Sequence, residues 1–338
     1  MKSRVGIALL ALPLIAISVA LLLYKRANDW LRTPIPTLTT TTIYEVPQGA
    51  PLNVVLHNLQ KRNLIEHPRA LSLWLRFLRP GYNLKAGEYE LQAGMTPIEV
   101  VENLNSGRVL LHSLTVVEGA TFSDFEKLLA ANSAVHLSPA ESGAPAMLKH
   151  LGAAVSHPEG EFFPDTYRFP KGTSDLELFT LAYRRMQTEL EQLWERRDPD
   201  LPLKNSYEAL ILASIVEKEA KLASERPLIA GVFVERLRKG MRLETDPTVI
   251  YGLGSAYDGN IHKADLQRDT PYNTYRHGGL PPTPICLPGL ESLRAAVHPQ
   301  VTGALFFVAT GKSDGSHHFS KTFEEHSVAV QHYLKATR

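Results

Sequence analysis

From Val5 to Tyr24 the chain runs twenty residues without a charged side chain. At about 1.5 Å rise per residue, such a run spans about 30 Å as a helix, the thickness of a bilayer's hydrocarbon core. A cleaved signal peptide is the competing reading, and Ser18-Val19-Ala20 imitates a small-residue cleavage site. The apolar region of a signal peptide is shorter, about 7 to 15 residues. Here three leucines and Tyr24 still follow before Lys25 and Arg26. Length and flanks therefore predict one uncleaved transmembrane anchor. Lys2 and Arg4 on one side, and Lys25, Arg26 and Arg32 on the other, leave its orientation open.

The rest of the 338 residues allows about two or three domains. Hydrophobic residues at 44% and charged residues at 21% are ordinary globular usage and exclude a mostly disordered chain. Lys and Arg number 36 against 35 Asp and Glu, so no net charge recommends nucleic acid as a partner. A single cysteine, Cys286, excludes an internal disulfide framework and a Cys-rich metal site; it reads as a small buried apolar residue.

After the anchor, Thr33 to Thr42 (TPIPTLTTTT) favours an extended tether. A strand at Ile43–Val46, helices at Leu52–Asn63 and Pro68–Leu78, a strand at Gly87–Leu91 and a helix opened by Thr96-Pro97-Ile98-Glu99 make a small α+β module. Leu114–Val117 reads as a strand, followed by a helix that Ser123 and Glu126 could cap. Ser156–Gly172 reads as loop, and Leu176–Arg196, Tyr207–Leu222 and Arg226–Leu237 as helices. The stretch Thr245–Gly289, dense in proline and glycine, is too long for a plain connector, and its aromatic residues argue for order. Ala304–Ala309 has the pattern of a buried strand, ahead of a His-rich turn and a terminal helix.

At about 100° per residue, the helix from Leu210 is apolar round most of its circumference, with one polar sector holding Ser214, Glu217, Lys218 and Lys221. Glu217 sits at the edge of that wettable stripe, and Glu219 points about 200° away, among Leu212 and Ile215. A carboxyl with apolar walls is held protonated near neutral pH, as a general acid must be. Periodicity alone leaves two alternatives for Glu217: that acid, or an ordinary ion pair with Lys221. Glu219 reads as a buried acid held by hydrogen bonds from adjacent loops. His317, His318 and His326 lack the carboxylate spacing of a metal site, so neither a metal nor another cofactor is expected.

Several segments in one order resemble a known family. They are Glu159 to Tyr167 (EGEFFPDTY), Ala213 to Ala220 (ASIVEKEA), Met241 to Tyr251 (MRLETDPTVIY), Pro271 to Tyr275 (PYNTY), Gly279-Leu280-Pro281-Pro282, and His318-Phe319 with Glu325-His326. Together they are similar to the endolytic murein transglycosylases, also called the MltG or YceG-like family. The chain departs from the usual pattern at Glu235, Thr283 and Cys286. The resemblance implies an α+β fold in four parts: a cytoplasmic tip and anchor over 1–24, a linker over 25–42, a LysM-like module over 43–112 and a mixed α+β catalytic region over 113–338. It implies Glu217 as catalytic acid, with Glu161, Ser214, Asp246, Thr248, Asn273 and Tyr275 shaping the cleft or holding sugar. It further implies residues 5–24 in the inner membrane, a periplasmic body, peptidoglycan strands as substrate and cell-wall synthases as possible partners. The reaction expected is cleavage of the MurNAc-GlcNAc bond to leave 1,6-anhydroMurNAc ends. The rival readings are a glycan-binding scaffold without activity and a hydrolytic muramidase.

Overall fold

Two hydrophobic cores that share no residue organise the chain. The computed structural model describes the backbone of residues 2–78, 81–82, 84–138 and 144–336, and their side chains from residue 14 on apart from Leu78. Contacts divide the protein into one unit of Met1–His112 with Phe169–Lys171, and a second of Ser113–Arg168 with Gly172–Arg338.

The first unit begins with helix α1 (Lys2–Leu31). Strand β1 (Thr42–Val46), helices α2 (Leu52–Lys61) and α3 (Pro68–Leu78), and strand β2 (Gly87–Leu91) follow, and β1 pairs antiparallel with β2. Helix α4 (Pro97–Ser106) opens with the expected capping box: Thr96 accepts from the Glu99 amide and Glu99 reaches back. Leu56, Leu59, Leu71, Leu75, Tyr89 and Leu104 fill the core. Leu31, Ile35 and Leu38 join it, and the Ile35 amide donates to the Met95 carbonyl. The segment read as a free tether is therefore partly packed, because its two aliphatic side chains find a core. Among the described residues no helix is long and apolar enough to cross a membrane. The side chains of residues 5–13, almost half of the expected span, lie outside the described ones.

In the second unit, β3 (Leu111–Thr115) leads to α5 (Phe122–Ala131), α6 (Ala144–Leu151) and β4 (Thr166–Pro170), which pairs with β3. Thr121 and Asp124 box the start of α5, two residues ahead of the expected Ser123 and Glu126. Phe122, Phe125, Phe162 and Phe179 form an aromatic cluster with ring centroids 5.0 to 6.0 Å apart. Helices α7 (Asp175–Glu195), α8 (Ser206–Glu219), α9 (Arg226–Arg238) and α12 (Leu290–Val297) build the main core. The long Pro-Gly stretch carries α10 (Asp246–Leu253) and α11 (Lys263–Gln267), with Pro247 inside the first turn of α10 where its missing N–H costs nothing. The His-rich turn is partly a strand: β5 (Phe306–Ala309) pairs antiparallel with β6 (His317–Ser320) before α13 (Phe323–Ala336).

Candidate functional site

Asn205 caps α8 by accepting from the Glu208 amide, and Ala209 through Val216 are all buried, so α8 runs through the core. The helix ends at Glu219, and Ala220 leaves it in an extended conformation. Past Glu208 in the first turn, charged side chains return only in the last turn, where Glu217 and Glu219 part company.

Glu217 is not on a wettable stripe: its side chain is 6% exposed and its Oε1 lies 3.2 Å from Nη2 of Arg226, itself 14% exposed. Its Oε2 accepts from the Gly289 amide at 2.9 Å. Glu118 approaches the same guanidinium at 3.6 Å, and burial followed by the charge of Glu217 raises its pKa. The sequence pairing of Glu217 with Lys221 is thus replaced by a partner nine residues on, Arg226, across the break between α8 and α9. Both carboxylate oxygens of Glu217 are thus engaged, one by the guanidinium and one by a backbone amide.

Glu219 meets the other environment. Burial raises its pKa, the hydroxyl of Thr245 donating to Oε1 lowers it, and the charge of Asp246 raises it again. A helix C-terminus also disfavours negative charge. Thr245 is held in turn: its amide donates to Oγ1 of Thr274 at 3.1 Å, and Oγ1 of Thr248 donates to its carbonyl at 2.7 Å. Beside it, the exposed Asp246 accepts from the Tyr275 hydroxyl at 2.7 Å. His317 adds a nearby positive influence on Glu219, and Glu225 fixes that imidazole by accepting from its amide at 2.9 Å and lying 2.7 Å from Nδ1.

The residues expected to hold sugar divide accordingly. Asp246 and Tyr275 are accessible and stand by Glu219. Ser214 is fully buried, donating to the Ile211 carbonyl and accepting from the Ile285 amide, and Thr248 is buried in the threonine cluster. Asn273 is buried with its amide on the carbonyls of Asp265, Leu266 and Arg268, where it shapes the loop carrying Tyr275. Glu161 is buried against Gln187 and pushed up to about 7 by desolvation. These four are buried, which leaves them the part of shaping the cleft; Ser214 reads as part of a polar sector in the sequence because helical periodicity cannot show what packs over it. Thr245 and Thr274 lie inside the segments Met241–Tyr251 and Pro271–Tyr275 but carry no assigned role in the sequence reading, and Glu225, the partner of His317, has no sequence signal. Among the described residues no group of three or more His, Cys, Asp or Glu could hold a metal ion.

The fold and this site define a class: an α+β protein with two glutamates at the end of a core helix, one of them beside an exposed carboxylate and a tyrosine. The YceG-like family pattern matches residues 44–332. The chain is 30% identical over 314 residues to the endolytic murein transglycosylase of Bacillus subtilis, covering 88% of this chain and 86% of that protein. The endolytic murein transglycosylase of Streptococcus pneumoniae is 27% identical over 325 residues, 86% of this chain and 58% of that one. A crystal structure of a YceG-like protein from Listeria monocytogenes superposes with a TM-score of 0.53 at 30% identity, covering 85% of this chain and 98% of that one. The chain belongs to the YceG-like family.

Proposed function

We propose that the protein is a lytic transglycosylase of peptidoglycan, with Glu219 rather than Glu217 as its acid. The observation that carries the assignment is the place of Glu219 at the end of α8, held by the Thr245 hydroxyl and beside Asp246, which accepts from Tyr275; burial raises its pKa. Protonated Glu219 gives its proton to the oxygen bridging N-acetylmuramic acid and N-acetylglucosamine. As carboxylate, steadied by the Thr245 hydroxyl, it then takes the proton of the muramyl 6-hydroxyl. That hydroxyl is tethered to the reacting sugar, so its attack has the advantage of an intramolecular reaction. Asp246 and Tyr275 bind hydroxyls of the sugar. The names of the relatives support the substrate class.

The same reading makes α1 a single-pass anchor in the cytoplasmic membrane, with the body outside it. Support comes from the sequence run 5–24 and from Leu14, Ile15, Ile17, Leu21, Leu22 and Leu23, which are all exposed. The order β1–α2–α3–β2, with the two strands paired, supports a LysM-like module. Trimming of nascent strands beside cell-wall synthases is the cellular role this architecture fits.

Asp246, being exposed and close to the acid, supports a second reading as the partner carboxylate of a hydrolase. Digestion of peptidoglycan by the purified full chain in heavy-oxygen water separates the two. The expected products are anhydro-muramyl ends, lighter by one water and unlabelled. Label in the new muramyl ends would make the enzyme a muramidase, and absence of any cleavage would favour a scaffold.

A further inference from the structure

Helix α3 has two unlike faces. Leu71 and Leu75 point into the core of the first unit together with Leu31 at the end of α1. On its other side Arg69, Leu73, Arg76 and Phe77 follow the i, i+4, i+7, i+8 spacing of one helical stripe. All four are exposed, Leu73 at 56% and Phe77 at 74%. Arg69 and Leu73 also line an open groove of about 1190 Å³ between α2 and α3, together with Val54, Lys61 and Glu66. Large apolar side chains alternating with arginine on one exposed stripe are the composition of a helix that lies in a membrane interface.

The position of α3 agrees. The ring of Trp30 on α1 lies 5.3 Å from that of His67, the residue just before α3. Tyr24, where the exposed apolar part of α1 ends, precedes Trp30 by six residues, about 9 Å along the helix. Tyr and Trp at that spacing mark headgroup depth on a membrane helix. The His67 end of α3 therefore stands within about 15 Å of the level where α1 would leave the hydrocarbon.

We propose that the Arg69, Leu73, Arg76 and Phe77 face of α3 docks on the anionic surface of the bilayer that α1 enters. Leu73 and Phe77 enter the interface, and the two arginines with Lys61 face lipid phosphates. Docking holds the first unit close to the membrane. A glycan strand is the less suited occupant of the stripe, since its four side chains carry no carboxyl or amide group; Asn53, Asn58, Gln60 and Glu66 line the groove outside the stripe. The inference rests on the anchor reading of α1.

The test uses the full chain in vesicles of phosphatidylcholine with or without phosphatidylglycerol. Single variants Phe77→Cys and Leu21→Cys are labelled with an environment-sensitive fluorophore; Cys286 is buried with its thiol pKa raised and stays unlabelled. Both labels are expected to be quenched by a lipid-borne quencher in anionic vesicles, and only the Leu21 label in neutral ones. Adding Arg76→Gln to Phe77→Cys should lower the ratio of docked to undocked protein about fivefold. A Phe77 label that stays in water on anionic vesicles while the Leu21 label is quenched would overturn the docking and leave the anchor standing. If neither label is quenched, the anchor reading fails and the docking falls with it. Protection of the Phe77 label by added glycan strands alone, or no response to Arg76→Gln, would also overturn it.

Discussion

Glu217 and Glu219 stand two positions apart on α8 and end in opposite electrostatic surroundings. Glu219→Gln keeps the shape but has no proton to give, so turnover should fall by about 100- to 10,000-fold with an unchanged circular dichroism spectrum. Glu217→Gln instead breaks a buried pair and leaves the Arg226 guanidinium with Glu118 alone. It should cost about 3 kcal/mol of stability, read from denaturant unfolding, while turnover by the folded protein persists. Loss of turnover in Glu217→Gln with unaltered stability, and an active Glu219→Gln, would reverse the roles. Thr245→Val tests the support of the acid. The Thr245 hydroxyl favours the charged form of Glu219, so its removal raises the pKa further and protonated acid survives to higher pH. The alkaline limb of the kcat/KM profile should move to higher pH. The polar end of α8 was legible in the sequence, because a buried helix with so few charged residues shows where its chemistry must be. The different surroundings of the two glutamates were not, since they depend on Arg226 and Thr245, both brought in from other elements.

At the scale of elements, packing decides matters that periodicity leaves open. Gly231 in α9 would by propensity alone gain about 1 kcal/mol as alanine. A Cβ there would stand 2.2 Å from the Gln300 carbonyl oxygen and 2.8 Å from its carbon. Gly231→Ala should therefore destabilise by about 1 to 3 kcal/mol, measured as a lower denaturant midpoint. The segment before β4 offers a second test, since burial pushes both Glu159 and Glu161 up to about 7. In the unfolded chain these carboxyls lose their protons near the ordinary 4.5. The folded protein thus keeps protons that the unfolded chain has released, and stability falls as pH rises between the two values. Glu161→Gln removes one such titration, so it should stabilise by up to about 3 kcal/mol at about pH 8 and by almost nothing at about pH 4. Urea unfolding at the two pH values reads the difference. The helices α2, α3, α4, α7 and α8 were legible because each has a regular apolar stripe or a cap. Helix α10 and strand β6 were not: α10 is short and sits among prolines, and the His317–Ser320 strand owes its form to pairing with β5 and to the Glu225 carboxylate.

For the whole molecule, the separate cores carry the consequence. Leu59 lies fully buried among Leu56, Tyr89 and Leu104 in the first unit, and the acid site rests on α8, α10 and the Thr274–Tyr275 loop in the second. Among the described residues, none that is buried belongs to both cores. If each unit unfolds as its own cooperative body, heat absorption by the full chain resolves into two transitions rather than one. Leu59→Ala opens a cavity worth about 2 to 5 kcal/mol in the first core. It should lower one transition and leave the other in place, with glycan cleavage retained at temperatures between the two. A single transition that moves as a whole would show that the units fold as one body. In that case the geometry at the end of α8 would depend on the first unit.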